Sequence, residues 1–375
     1  MSATPLSHAS PPVAGAAGSS PGPGADAPDP APFPVGPYLK RVGRGNVGAR
    51  SLERDEMQRL FGAMLDGAVA DVELGGLLVA FRMKGEALDE IAGALAALQA
   101  RLSPVPIDPR RPVVSIPSYN GARKSANLTP LLAGLLADAG VQVIIHGIRC
   151  DPNRITTCEV VQAMGHPPAA TDAEAGMALE RGNPAFVPID VLAPSFARLL
   201  QLRERLGVRH IGHTLAKLLA PIDVSCHGIE RCVRLMSFTH PEFNELQHAV
   251  MEGLGARAVV MRGSEGEAVA GTKRMVQVDW IERGATRALA QADLRPMGRP
   301  VILPPAQDAV ATAVWIQSAL SGEQPVPENV ARQVALILGA IGRDAVDDRG
   351  AIGEREASAR HPDTSASASP PASPQ

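Results

Sequence analysis

The segment spanning residues 112–165 limits what this chain can fold into more than any other part of it. It reads PVVSIPSYNGARKSANLTPLLAGLLADAGVQVIIHGIRCDPNRITTCEVVQAMG. Residues 113–116 are a short β-branched apolar run, the pattern of a buried strand. Residues 117–124 are rich in turn formers and end in two adjacent cations, Arg123 and Lys124. Residues 127–139 place Leu128, Leu131, Leu132, Leu135 and Leu136 at helical spacing, with Asn127 as the expected N-cap. Gly140 stops that helix, and residues 141–145 form a second buried strand. A strand, a crossover helix and a second strand of this length make a parallel pair. The loop after the first strand therefore lies at the carboxyl edge of the sheet, where a helix N-terminus offers backbone N–H groups to an anion.

Three helices are expected ahead of this unit, over residues 50–67, 71–82 and 86–102. The first carries Met57, Leu60, Phe61, Met64 and Leu65 on one face, with Ser51 as its expected cap. The second is apolar along Leu74, Leu77, Leu78 and Phe81, more than a free surface tolerates, which points to a subunit interface. Beyond the unit, helices are expected at 155–164, 172–180, 195–206, 241–254, 309–320 and 327–341, and strands at 187–191, 233–237, 258–262 and 275–280. The pattern implies an α/β fold class. A small N-terminal α-helical domain over residues 37–105 precedes a larger α/β domain with a mostly parallel central sheet over residues 106–343.

The two ends differ from everything between them. Residues 1–36 and 344–375 are rich in Pro, Ala, Gly and Ser and bury too little to offset chain ordering, so both are expected to be disordered tails. They also distort the net charge of −3, because they hold eight acids against three cations. The remainder has 33 cations against 31 acids, so a basic patch is possible. Cys150, Cys158, Cys226 and Cys232 have neither zinc-ribbon nor C-x-x-C spacing, so no metal site is expected and reduced thiols are. Residues 1–36 lack a cationic start followed by an apolar run, and no apolar run approaches a membrane span. A soluble, cytoplasmic protein without a membrane partner is expected.

At the central unit the chain resembles the nucleoside phosphorylase/anthranilate phosphoribosyltransferase fold, a class-IV phosphoribosyltransferase-like arrangement of glycosyltransferase family 3. That family carries a G-T-G-G-D loop, an N-I-S helix start and a strand ending in K-H-G-N-R. Here Asn127-Leu128-Thr129 stands at the helix start, and His146-Gly147 and Arg149 stand at the strand end. Three words, PSYNGARK from Pro117, HTLAK from His213 and GSEGE from Gly263, resemble the divergent, non-biosynthetic branch called YbiB. Members of that branch are dimeric and bind nucleic acid. The likeness covers roughly residues 38–342, and it implies that the N-terminal helices form the dimer contact.

Set against the enzymes of the family, most of the catalytic chemistry is missing. The enzymes let loop amides approach a diphosphate, whose charge a magnesium ion held by acidic residues helps neutralise. Pro117, Ser118, Tyr119 and Asn120 replace the loop glycines, Gly121 replaces the loop acid, and Ala268 and Val269 stand at the metal-binding pair. Ile145 and Ile148 replace the Lys and Asn of the strand-end motif. Cations have been gained instead. Arg123 and Lys124 are added to the loop, Lys217 replaces a proline and His213 an asparagine. Arg149, Arg154 and Arg203 remain, and the resemblance equates Arg203 with the arginine that contacts the aromatic acid.

These residues define the expected phosphate-binding set: Arg123, Lys124, Asn127, Arg149, Arg154, Arg203, His213 and Lys217. His146 is expected to be a satisfied core histidine. The leading expectation is a homodimer that binds DNA or RNA through the phosphate backbone, without catalytic residues, cofactor or metal. Only two Trp and two Tyr besides Phe argue against an extended stacking platform, so weak sequence preference is expected. Two alternatives remain open: a phosphoribosyl or glycosyl transferase with an altered substrate, for which the retained Asn127, Arg149 and Arg203 speak, and a small-anion or nucleotide sensor.

Overall fold

The computed structural model describes residues 33–239, 241–296 and 301–342. Five helices come first: α1 (Gly36–Val42), α2 (Gly45–Gly48), α3 (Arg54–Leu65), α4 (Asp71–Lys84) and α5 (Leu88–Gln99). The start of α3 is fixed by Glu56, whose carboxylate accepts the Glu53 N–H at 2.9 Å. The cap therefore falls at Glu53 and not at Ser51. At the other end of the region the buried Glu90 carboxylate accepts from Lys84 Nζ at 2.7 Å and from the amides of Leu52 and Ala87 at 3.0 and 2.9 Å. A carboxylate with three donors is a stable thing to bury.

Two expectations fail in this region. Residues 33–36 belong to the expected N-terminal tail, yet Val35 is buried and Phe33 stacks on Tyr38 with ring centroids 5.6 Å apart. Their apolar side chains gain more from packing than the short segment loses in chain freedom. The rest of both expected tails lies outside the described residues. Leu77, Leu78 and Phe81 belong to the expected subunit interface, but each is 0% exposed within the single chain. They join the core on which α3 and α5 also pack. What α4 leaves exposed is a narrower stripe of Val72, Val79 and Met83, which share one helical face.

The α/β part carries β1 (Val113–Ser118), α6 (Thr129–Asp138), β2 (Gln142–Gly147), α7 (Thr157–Ala163), α8 (Asp172–Glu180) and β3 (Ala185–Pro188). There follow α9 (Ile189–Leu192), α10 (Pro194–Leu206), α11 (Ile211–Leu215), α12 (Val224–His227), β4 (Cys232–Phe238), α13 (Pro241–Gly253) and β5 (Ala258–Arg262). The last elements of the described residues are β6 (Arg274–Met275), β7 (Val278–Glu282), β8 (Ala285–Ala290), β9 (Asp293–Pro296), α14 (Ala309–Leu320) and α15 (Glu328–Ala340).

The sheet runs β3-β2-β1-β4-β5-β7-β8, and its first five strands are parallel. β7 and β8 add an antiparallel edge, and β6 pairs with β9 apart from it. Every residue of β1 and β2 is buried, as parallel strands covered on both faces require. Along β4, Cys232 and Met236 enter the core shared with the N-terminal helices, while Val233 and Leu235 enter the core under α6, α14 and α15. The fold is thus a helical N-terminal region and an α/β region with a mostly parallel sheet, joined by one continuous core.

Most boundaries lie within a few residues of those expected. The expected strand at 275–280 is instead split between β6 and β7, and β8 and β9 have no counterpart among the expected strands. Their sequences, ATRALA and DLRP, lack an apolar run, because β8 is an edge strand with an exposed start. The expected strand at 187–191 ends at Pro188, where α9 begins. Among the described residues no helix is long and apolar enough to cross a membrane.

Candidate functional site

The loop between β1 and α6 has the predicted position, at the carboxyl edge of the sheet. Its amides are nevertheless not free. Glu267, 1% exposed, places Oε1 2.9 Å from the Asn120 nitrogen and 2.7 Å from the Gly121 nitrogen. Glu265 takes three further amides: Arg123 N donates to Oε2 at 3.1 Å, and Lys124 N and Ser125 N donate to Oε1 at 2.8 and 3.0 Å. Five loop amides, with the Ser125 hydroxyl at 3.1 Å from Glu265 Oε1, thus hold two carboxylates of the chain itself, where backbone nests commonly hold a bound anion. The expectation that this loop offers its N–H groups to a ligand is corrected by that arrangement.

The word GSEGE is what seats the two carboxylates. Gly266 has φ +91°, and a Cβ there would lie 2.1 Å from Asn120 Nδ2. Its carbonyl accepts from Asn120 Nδ2 at 2.9 Å and from Ser237 Oγ at 2.8 Å. Glu265 itself sits at φ 53°, a strained conformation for a residue with a side chain. Burial opposes its charge, but the amides of Lys124, Arg123 and Ser125 outweigh it and hold the carboxyl below its ordinary range.

A cleft of about 380 Å³ opens beside this turn, between the end of α4 and the carboxyl ends of β1 and β4. Arg82, Arg154, Arg209 and Lys217 line it, with Glu86 and Glu265 as its acids. Burial raises the Glu86 carboxyl above its usual range, although Thr214 Oγ1 donates to it at 3.2 Å. Glu265 is occupied by the loop. The balance is therefore cationic. Lys217 is half-buried, and its Nζ forms no hydrogen bond or ion pair among the described residues. Burial lowers its ammonium to about 8, with Glu267 pulling the other way and Arg209 adding to the fall.

Of the expected phosphate-binding residues, the cleft brings together Arg154, His213 and Lys217. Arg154 Nη1 donates to the Gly121 carbonyl at 3.2 Å and lies 3.8 Å from Glu265. His213 carries no charge at neutral pH. Burial, His210 and the nearby Arg209 lower it to about 3, and its ring packs edge-on against His210 at 4.6 Å. Asn127 is a structural residue. It is 1% exposed, and Nδ2 donates to Thr157 Oγ1 at 3.0 Å and to the Ile155 carbonyl at 3.3 Å. Its Oδ1 accepts the Thr129 N–H at 3.2 Å, and the cap of α6 falls at Leu128, one residue later than expected.

Arg123, Lys124, Arg149 and Arg203 lie outside the cleft lining. Arg123 and Lys124 are exposed, and among the described residues only their amides are engaged, by Glu265. Arg149 forms a bidentate pair with Asp190 at 3.0 to 3.2 Å, which neutralises it. Arg203 stands exposed in the last turn of α10. His146 is a satisfied core histidine, with Nδ1 2.9 Å from Tyr119 Oη and Nε2 3.1 Å from Ser115 Oγ.

Arg82 and Arg209 are absent from the expected set. Arg209 has a sequence signal, since it precedes His213 and Lys217 in RHIGHTLAK, and its Nη2 donates to Asn120 Oδ1 at 3.0 Å. Arg82 has none, because it comes from α4 of the helical region. The residues at the expected magnesium positions do not fit a metal. Ala268 and Val269 are 1% and 2% exposed in the apolar core and bring no donor atoms, and no acid cluster among the described residues replaces them.

With this geometry in view, the similarities to known proteins are specific. Residues 36–102 match the glycosyl transferase family helical bundle domain. The chain is 40% identical to YbiB of Escherichia coli over 310 residues, covering 82% of this chain and 94% of that protein. It is 30% identical to anthranilate phosphoribosyltransferase 2 of Ralstonia nicotianae over 240 residues, covering 64% and 67%. The crystal structure of anthranilate phosphoribosyltransferase from Thermus thermophilus superposes with a TM-score of 0.61 at 28% identity, over 80% of this chain and 87% of that one. The Saccharomyces cerevisiae enzyme, solved with PRPP and Mg, gives 0.60 at 13% identity over 83% and 89%, a likeness of fold alone.

Proposed function

The chain belongs to the family of YbiB and the anthranilate phosphoribosyltransferases, and from that premise we propose that it binds nucleic acid, DNA or RNA, through the phosphate backbone at the cationic cleft. One observation carries the reading. The loop that would cradle a diphosphate is filled by Glu265 and Glu267, while Arg82, Arg154, Arg209 and Lys217 line the cleft beside it. The diphosphate seat of the transferases is thereby closed from within, and no carboxylate pair stands at the metal positions. A cleft left cationic in this way gains affinity for polyanions by releasing their condensed counterions.

Sequence preference in such a site is weak, because phosphate contacts position a nucleic acid without reading its bases. The aromatic side chains agree: Trp280 is 1% exposed and the Tyr119 hydroxyl is turned onto His146, so neither is placed to stack bases. We also propose a homodimer through the exposed stripe of α4, Val72, Val79 and Met83, which sets two clefts in one assembly.

A salt titration tests the function. With about four to six phosphates neutralised per chain, log K falls with log salt at a slope of about −4 to −5. Reversing Arg209 and Lys217 to Glu weakens binding to every sequence alike and flattens the slope by about 2. Unchanged affinity in a folded double variant overturns the reading.

A second reading, a transferase acting on an altered substrate, is favoured by the superposition on the Thermus thermophilus enzyme. It requires the turn carrying Glu265 and Glu267 to leave the loop. Single-turnover assays with phosphoribosyl pyrophosphate and varied acceptors separate the two.

A further inference from the structure

We infer that the cavity at the amino edge of the sheet is a second ligand site, one that takes a small carboxylate with an apolar body and anchors it on Arg234. Arg234 lies near the start of β4, on the face it shares with Cys232 and Met236, and is 1% exposed. A guanidinium buried this deeply ordinarily has a carboxylate partner. This one has none within 4 Å among the described residues. Its Nη1 reaches the Ile229 carbonyl at 3.5 Å, the outer limit of a hydrogen bond, and its Nε has no partner.

The cavity beside it has a volume of about 480 Å³, within the range of small-molecule sites. Leu95, Ala96 and Leu102 wall it from the helical region, and Ile222, Val224 and Leu254 from the α/β region. The polar groups at its edge are already engaged. Gln99 Nε2 donates to the carbonyls of Ala220 and Ile222 at 2.8 and 3.1 Å. Asp223 Oδ1 accepts from Ser225 N and Cys226 N at 2.9 and 3.2 Å, capping α12. Neither neutralises Arg234.

One buried fork donor surrounded by hydrocarbon selects a planar monoanion joined to an apolar group. A phosphate dianion fits poorly, since Arg54, the other cation of the lining, stands exposed at the start of α3 and the buried Arg234 alone would leave most of the charge unbalanced. The site is separate from the cleft, which meets β4 at its other end through Ser237 and Phe238. It does not depend on the nucleic-acid reading.

Octanoate is a suitable probe for the full chain, with octan-1-ol and inorganic phosphate as controls, by calorimetric titration and thermal unfolding. Saturable octanoate binding that raises the Tm is expected, with at least tenfold weaker binding of the alcohol and none of phosphate. Arg234→Met should fold with an equal or higher Tm and lose at least tenfold in octanoate affinity. Ala96→Trp keeps Arg234 but fills the cavity, and should abolish binding even if Arg234→Met fails to fold. Equal response to acid and alcohol, binding that survives Ala96→Trp, or no saturable binding at millimolar octanoate would each overturn the site.

Discussion

Glu267 and Gly121 are joined at 2.7 Å, the buried carboxylate of the one accepting the backbone N–H of the other across 146 residues of chain. With Glu265 accepting from three amides and the Ser125 hydroxyl further along, this contact makes the loop an internal junction. A ligand that needs the loop amides must first displace two carboxylates already hydrogen-bonded to them. Arg82, Arg154, Arg209 and Lys217 line the cleft beside that junction.

Removing one of these carboxylates should therefore increase anion affinity while lowering stability. Glu265→Ala frees the amides of Arg123, Lys124 and Ser125 and removes an acid from the cleft. Oligonucleotide affinity should rise several-fold, and unfolding free energy should fall by about 1–3 kcal/mol. Fluorescence anisotropy and urea titration measure the two, and weaker binding in a folded variant would count against the junction as a block. The pH window follows from the sign of the shift. Because the folded-state carboxyl is lowered from 4.5, its contribution is present above that pH and is lost as pH falls through the folded value.

Lys217 should make binding take up protons. Its ammonium is lowered to about 8 by burial, so between there and its ordinary 10.5 the free protein holds fewer protons than the unfolded chain. Stability should rise with pH across that interval. A bound phosphate favours the charged form, so titrations near pH 8.5 in buffers of different ionisation enthalpy should report proton uptake. Lys217→Arg should abolish the uptake and keep the affinity; uptake that persists in this variant would assign it to another group.

The dimer should depend on the outer stripe of α4. Val79→Glu with Met83→Glu should give a folded monomer by light scattering, since both side chains are exposed in the single chain, at 40% and 67%. Leu77→Glu is the contrasting control. It buries a charge in the monomer core and should lose the fold at a cost of several kcal/mol. A doubly substituted protein that still dimerises at micromolar concentration would move the interface off α4.

Phosphoribosyl transfer to anthranilate should be absent. Restoring acids by Ala268→Asp and Val269→Glu should destabilise the protein and not recruit magnesium, because both positions face the apolar core. Magnesium-dependent consumption of phosphoribosyl pyrophosphate by the unaltered chain, above a buffer control, would reverse this expectation.

Local pattern determined a great deal here. The β-branched runs of β1 and β2 and the leucine spacing of α6 fix a parallel strand-helix-strand unit, because these signals lie within a few residues of each other and need no distant partner. The loss of donor atoms at Ala268 and Val269 is legible for the same reason, since an alanine ligates nothing wherever it lies. Lys217 also stands out, as a cation in the apolar run HTLAKLL.

Tertiary structure alone decided which charges meet and which are already satisfied. No spacing rule pairs Glu267 with Gly121, Arg149 with Asp190, or Arg82 with Lys217, because each pair joins elements far apart in sequence. Nor does an apolar helix reveal what will cover it: Leu77 and Phe81 have the pattern of an interface and lie in the core. Asn127 and His213 show the same limit for polar groups. Their types permit a ligand contact, but burial and neighbours made one a staple between loops and the other a neutral ring. Charge in this protein is assigned by desolvation and by partners across the fold, and both are properties of the folded molecule.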